Sequence, residues 1–164
     1  MTIFFCFAGC VAAGPRPPIE LPFAVHKAGT IVSTELRIPE KGPFVYQFML
    51  KFMHKDSDKA DRARVQQLLG SSRHTSYGIF VEPGVQTPLK ITLSVIDSSG
   101  EHIFLEKEFS TVGISASGEN YFKRQIDLSE LKRSPGLYRV TVQSLKDIPE
   151  LADTKVFFTI YYPT

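Results

Sequence analysis

Large apolar residues alternate with polar ones along much of this chain, and a period of two is typical of half-buried β-strands. The clearest case is residues 44–52, in which every second side chain, from Phe44 to Phe52, is large and apolar. Because burying each such side chain stabilises a fold by roughly 1.5–3 kcal/mol, we predict that this strand lies at the centre of the core. An aromatic stripe could alternatively line a ligand groove. Similar patterns predict an edge strand at residues 21–25 and further strands at residues 30–38, 89–96, 102–109, 121–128, 137–142 and 156–162.

Two turn signals indicate how these strands are connected. The polar tetrapeptide 97–100, which ends in glycine, separates two alternating runs and predicts a hairpin. Pro135 and Gly136 precede Tyr138, and this spacing resembles the corner of immunoglobulin-like sandwiches, where a tyrosine hydroxyl bonds back to the backbone. Together these features predict a mainly β fold: an immunoglobulin-like antiparallel β-sandwich of about eight strands with one inserted short α-helix.

The inserted helix is predicted within residues 56–69, where the period of two stops. Ser57 or Asp58 can cap its first turn, and Gly70 fits the position just past its last turn. Asp58 and Arg62 are spaced to form an ion pair along the helix surface.

The composition is that of an ordinary globular protein. Hydrophobic residues make up 43% and charged residues 22% of the 164-residue chain, and the formal net charge is +2. Basic residues are mixed with acidic ones rather than gathered in one stripe, so we predict no nucleic-acid partner. A chain of this length can bury a sizeable core, and we predict a single β-sandwich domain over residues 21–164.

The N-terminal segment predicts where the protein resides. Residues 7–10 read Phe-Ala-Gly-Cys at the end of an apolar run, which resembles a bacterial lipobox, although Phe7 stands where leucine is preferred. We predict a truncated lipoprotein signal at residues 1–9, then a lipidated Cys10 and a proline-rich tether at residues 10–20. No Lys or Arg precedes Cys10, so we expect a longer, basic leader upstream.

An alternative interpretation keeps this segment in the fold, as a phenylalanine-rich first strand with Cys6 and Cys10 as buried thiols. The lipoprotein interpretation accounts for both cysteines, because cleavage before Cys10 would discard Cys6 and acylation would consume the other thiol. It places the protein in the bacterial cell envelope, on the periplasmic side. There it would be an outer-membrane lipoprotein held to the membrane by its N-terminal lipid.

No arrangement of reactive residues predicts catalysis. Residues 113–117 approach a nucleophile elbow, but Ser117 stands where the motif needs glycine. Residues 56–58 begin like a calcium loop, and the later ligand positions of that loop are missing. His54 could join a weak divalent site but is expected to be exposed to solvent. We predict no enzyme activity, no catalytic residue, no metal, no cofactor and no small-molecule substrate, although glutamates that meet only in the fold could still form an acid–base pair.

Several short segments carry a resemblance to a known family. They are residues 21–23, 27–30, 61–65, 68–70, 87–89, 118–122 and 135–140. These segments are similar to the DUF5625 family of proteobacterial lipoproteins, and the resemblance extends over nearly the whole mature chain. It implies export as a lipoprotein, and it supplies neither an activity nor catalytic residues.

These observations favour a non-enzymatic binding protein. Residues 53–83 contain the predicted helix and a predicted mobile loop with an apolar patch at residues 77–81, and specificity could be built on this insertion. The predicted contacts with a protein partner are the basic residues around the helix: Lys59, Arg62, Arg64 and Arg73. Charged residues on an exposed helix could also be merely solvated.

The kind of partner is predicted from architecture. Small lipoproteins of this build resemble immunity proteins that neutralise antibacterial effectors in the periplasm. The alternatives are a structural role in envelope maintenance without a toxin partner and, as the weakest, a hydrolase.

Overall fold

The computed structural model describes residues 15–40, 46–73, 75–128 and 134–162. The predicted lipobox with Cys6 and Cys10, and also Phe44, lie outside the described residues. The described elements are β1 (Ile19–Pro22), β2 (Ile31–Ile38), β3 (Gln47–Met53), α1 (Lys59–Leu69), β4 (Thr87–Asp97), β5 (Gly100–Thr111), β6 (Ala116–Ser117), β7 (Tyr121–Ile126), β8 (Gly136–Ser144), a short 3-10 helix (Pro149–Leu151) and β9 (Val156–Tyr161). The first strand therefore begins inside the stretch that we assigned to the tether.

The strands form two antiparallel sheets. Sheet A has the order β1-β9-β3-β7-β6, and sheet B has the order β2-β8-β4-β5. Side chains from both sheets form one apolar core, which includes Leu36, Leu50, Leu93, Val140 and Phe158. The predicted antiparallel β-sandwich with one inserted α-helix is confirmed, with nine strands rather than about eight in the described part of the chain.

The strand predicted to be central is central. β3 pairs with β9 on one side and with β7 on the other. Phe48, Leu50 and Phe52 are each at most 1% exposed. Their side chains therefore pack in the core and do not line a groove.

Both turn signals are confirmed. Asp97 pairs with Gly100 at the turn between β4 and β5, and its carboxylate accepts the backbone N–H of Ser99 at 2.8 Å. The hydroxyl of Tyr138 donates to the carbonyl oxygen of Ser134 at 2.8 Å, which is the contact expected of a tyrosine corner.

The helix α1 begins at Lys59, directly after Asp58, which is one of the two predicted caps. Ser57 adopts a φ of +60°, and the Asp58 carboxylate then caps the helix by accepting the N–H of Asp61 at 3.0 Å. Gly70 follows the last turn, as predicted. The predicted ion pair between Asp58 and Arg62 is wrong, because the carboxylate serves as the cap and Arg62 turns towards the loop before β7. None of the helices in the described ranges has the length and apolarity needed to cross a bilayer.

The two ends of the sandwich carry different features. At one end, which we call the turn end, the carbonyl of Pro15 accepts the N–H of Arg37 at 3.4 Å, close to the β4–β5 turn. The other end, the helix end, carries α1 and the connections at residues 23–30, 54–58, 70–86, 112–120 and 145–155. The 11 residues of β4 run between the two ends, a distance of roughly 34 Å at about 3.4 Å per residue.

Candidate partner-binding surface at the helix end

One buried arginine holds the helix end together. Arg124 occupies an inward-facing position of β7, between Phe122 and Ile126, and is 0% exposed. Its guanidinium donates to five oxygens at 2.6–3.3 Å, namely the carbonyls of Leu69, Val85, Thr111 and Gly113 and the hydroxyl of Thr87. These acceptors lie at the end of α1, at the start of β4 and at and after the end of β5. A single side chain therefore fixes several connections.

The charge of Arg124 is stabilised by hydrogen bonds to uncharged acceptors. Within the described ranges no carboxylate pairs with it, and burial lowers its pKa to about 10, so it stays protonated at neutral pH. The carbonyl of Leu69 belongs to the C-terminus of α1, where the helix dipole favours a cation. Hydrogen bonds from a charged donor are stronger than neutral ones, and they offset the desolvation of the guanidinium.

Sequence reasoning missed Arg124, although a signal was present. In the predicted strand 121–128, the positions in phase with Arg124 are Phe122, Ile126 and Leu128. A lone charged residue in the inward phase of a strand requires buried partners, because an isolated buried charge is very unfavourable. That pattern alone could have marked the residue.

His54 is buried, so the prediction of a solvent-exposed histidine is wrong. It is 5% exposed, and its ring lies against Phe122 with the centroids 5.4 Å apart. The Nη1 atom of Arg62 lies 3.0 Å from His54 Nε2. Because a guanidinium can only donate, Nε2 accepts this bond and the ring proton is on Nδ1, which faces the carbonyl of Lys55 at 3.3 Å. The Nε2 lone pair that a metal ion would need is therefore already used.

Arg62 joins α1 to the turn before β7. Its Nη1 also donates to the carbonyls of Gly118 and Glu119, each at 3.2 Å. The guanidinium carbon lies 4.8 Å from the ring centroid of Phe122, a favourable cation–π distance. This side chain is thus committed to contacts within the protein.

Arg64 ties the helix to the connection before β9. It forms an ion pair with Asp61 at 2.8 Å and donates to the hydroxyl of Thr154 at 3.2 Å. Asp61 also accepts the backbone N–H of Lys55 at 2.8 Å. This backbone bond first, and the bond from Arg64 second, hold the pKa of Asp61 below its usual value.

The four predicted contact residues therefore fall into two pairs. Arg62 and Arg64 are partly buried and position the helix, whereas Lys59 and Arg73 are exposed and form no ion pair within the part of the chain that the structure describes. Acidic side chains lie among them, including Asp58, Asp61, Glu119 and Asp153. The surface is mixed in sign and not uniformly positive.

Two depressions open to solvent adjoin His54 and Lys55. The larger, of about 600 Å³, is also lined by Asp61, Arg64 and Lys155, among others. The smaller, of about 360 Å³, lies on the other side of the same two residues, towards Lys59 and Glu119. The described residues include no cluster of three metal-ligating side chains. Two open depressions of this kind suit contact with another protein surface better than enclosure of a small substrate.

The residues after α1 form a hydrogen-bonded hairpin. Three backbone bonds of 2.7–3.0 Å join its two sides, pairing Ser71 with Glu82, Arg73 with Val81 and Thr75 with Ile79. We call residues 71–73 and 75–82 the tip hairpin. The predicted apolar patch is on its surface, with Tyr77 89%, Ile79 65% and Val81 52% exposed.

Comparisons with known proteins agree with this architecture. The model of the family Domain of unknown function (DUF5625) matches residues 20–162. A crystal structure of a protein from Sulfurospirillum deleyianum is similar with a TM-score of 0.69 and 22% identity, over 90% of this chain and 98% of that chain. At this identity the similarity shows the fold alone. No curated protein matches the chain.

Proposed function

The chain belongs to the DUF5625 family, and we propose that it is a non-enzymatic, lipid-anchored binding protein of the bacterial envelope that recognises a protein partner with its helix end. The membrane would be contacted only through the lipid on Cys10. The mature domain would act on the periplasmic side of the outer membrane.

The placement of different features at the two ends of the sandwich supports this proposal. Pro15, the first described residue after the Cys10 segment, lies at the turn end. The tip hairpin and the two depressions beside His54 lie at the opposite end. The 11 residues of β4, which runs between the two ends, span roughly 34 Å at about 3.4 Å per residue. A domain tethered through Cys10 would therefore present its helix end away from the membrane, where a partner can reach it.

The chemistry of the helix end favours binding over turnover. The Nε2 atom of His54 is fixed by Arg62, and a base whose lone pair is already bonded is poorly placed to take a proton from a substrate. Asp61 is bonded to Arg64 and to a backbone N–H, and its pKa is lowered. These groups shape and stiffen a surface.

Lipid attachment is tested by metabolic labelling with an alkyne-bearing palmitate, in cells that produce the protein from its own gene. We expect the wild type and the matched control Cys6→Ala to carry the label and to fractionate with the outer membrane, and Cys10→Ala to do neither. Label on Cys10→Ala, or unlabelled wild type in the cytosol, would contradict the anchored state.

Within this class we propose an immunity-type role, in which the partner is an antibacterial effector. Deleting the gene is then expected to sensitise cells to contact with the parental strain, and the wild-type gene should restore survival. Survival unchanged by the deletion would remove the immunity role and leave a binding role in the envelope.

A further inference from the structure

We infer that the tip hairpin is the anchor by which the helix end enters an apolar cleft on its protein partner, with Tyr77, Ile79 and Val81 as the inserted side chains. The inference rests on the proposed function and deepens it, because it names the contact element and the chemistry that the partner must offer.

The first argument is the clustering of exposed apolar side chains. Six large apolar residues of the described chain are well exposed, and three of them lie within five residues of one another on the tip hairpin. Single exposed apolar residues are ordinary, whereas a contiguous patch marks an interaction site. Tyr77, at 89% exposed, belongs to a residue type enriched among interface residues that dominate binding.

The second argument is that the tip hairpin is held in place before any partner arrives. Phe80 points away from the exposed patch and packs over Gly113, where a Cβ atom would lie 2.2 Å from the phenylalanine ring. At the base, Gly70 approaches the carbonyl of Glu82 so closely that a Cβ atom would lie 2.0 Å from its oxygen. A preorganised loop loses little conformational entropy on binding.

The third argument separates a protein partner from a membrane. The patch is flanked by Arg73 and Glu82, which are both exposed and opposite in charge. Membrane-inserting segments are typically rimmed by Lys and Arg, whereas an apolar centre with a polar rim is typical of protein interfaces. The tip hairpin also lies at the end of the sandwich opposite Pro15, so a lipid at Cys10 would direct it away from the bilayer.

Photo-crosslinking in living cells tests the inference. The photoreactive residue p-benzoyl-phenylalanine replaces Tyr77, Ile79, Lys59 or Ile103, one at a time, in the full-length protein produced from its own gene. Ile103 is the matched control, because it is 65% exposed like Ile79 but lies on β5. We expect one discrete protein adduct from positions 77 and 79 and none from position 103.

The remaining outcomes distinguish the inference from the proposed function. An adduct from Lys59 without one from positions 77 and 79 would overturn the tip hairpin as anchor and leave the proposed function standing. A lipid adduct or a dimer of this chain at position 77 would also overturn it. No protein adduct at any of the three helix-end positions would overturn both.

A quantitative test follows with the protein identified in the adduct. We expect Ile79→Ser to weaken its binding to the full-length chain about tenfold or more, and Ile103→Ser to leave the affinity unchanged. Both variants change exposed side chains, so equal melting temperatures would show that folding is intact. Equal affinities of the two variants would refute the inference.

Discussion

Arg124 offers the sharpest test of how the helix end is stabilised. Arg124→Met keeps an unbranched side chain in the site but removes every donor, so four buried oxygens and the partly buried carbonyl of Val85 lose a hydrogen bond. Each such loss costs about 1–2 kcal/mol, or about 5–10 kcal/mol in all. Against this, the variant no longer buries a charge. The shift of the Arg124 pKa from 12.5 to about 10 corresponds to a desolvation cost of about 3 kcal/mol, since one pKa unit is worth about 1.4 kcal/mol. The variant is spared this cost.

The hydrogen bonds therefore outweigh the desolvation. We expect Arg124→Met to lower the free energy of unfolding by about 2–7 kcal/mol, a large share of the roughly 5–15 kcal/mol typical of a domain. Arg124→Lys keeps the charge but has only three donors on one nitrogen, so we expect an intermediate loss.

Urea denaturation followed by far-ultraviolet circular dichroism measures this change, and tyrosine fluorescence provides a second probe because the chain has no Trp. The matched control is Gln125→Met, the next residue of the same strand, which faces solvent. The control should change stability by no more than about 0.5 kcal/mol. If Arg124→Met were as stable as Gln125→Met, burial of the charge would cancel its hydrogen bonds and our reasoning would be refuted.

Three other contacts can be tested directly. The neutral ring of His54 should carry its proton on Nδ1, which ¹H–¹⁵N NMR of the imidazole reports, and a proton on Nε2 would contradict the bond from Arg62. Gly113→Ala should lower the free energy of unfolding, measured by thermal denaturation, by about 1–3 kcal/mol, because Gly113 has a φ of +66° and adjoins the Phe80 ring. The double variant Gly113→Ala with Phe80→Ala should lose less unfolding free energy than the sum of the two single variants. Additive losses would show that the new methyl group at position 113 does not contact the Phe80 ring. Because the pKa of Asp61 is lowered in the folded state, the ionised carboxylate stabilises the fold at pH values above its unfolded-state pKa of 3.8. This stabilisation is lost as the pH falls through the folded-state pKa. Asp61→Asn should therefore flatten the fall in unfolding free energy in acid, and an unchanged acid limb would count against this role.

Local patterns predicted the fold well because period and burial are directly linked in a strand. The alternation around Phe48 could be buried in only one way, and β3 lies at the centre of sheet A as expected. Tyr138 was predicted equally well, because its hydroxyl bonds to a carbonyl only four residues away. The choice between Ser57 and Asp58 as the cap of α1 stayed open, because Ser57 takes a positive φ that residue type alone does not indicate.

The candidate site was predicted less well, because its contacts join distant segments through the backbone. Arg124 binds the carbonyl of Leu69, 55 residues away in the chain, and a carbonyl oxygen carries no residue identity that a sequence could display. The burial of His54 similarly depends on Arg62 and on the turn before β7. At Arg62 and Arg64 the sequence therefore suggested free positive charges, whereas in the fold both side chains are bonded to other segments.

Arg124 holds the base of the tip hairpin in place through its hydrogen bonds. The carbonyls of Leu69 and Val85 lie at the two ends of the segment that contains the tip hairpin, and both accept from Arg124. A third acceptor is the carbonyl of Gly113, the residue under Phe80. An apolar side chain could fill the same space but could not hold these three points in fixed relation.

We therefore expect Arg124→Lys to loosen the tip hairpin more than the core. In native-state hydrogen exchange, the amides of Thr75 and Val81, which are bonded across the tip hairpin, should lose more protection than those of β3, because local opening no longer has to break every tie at its base. Gln125→Met serves again as the control and should leave both sets of amides unchanged. A uniform loss of protection in Arg124→Lys would mean that the arginine stabilises the sandwich as a whole and does not hold the tip hairpin in place.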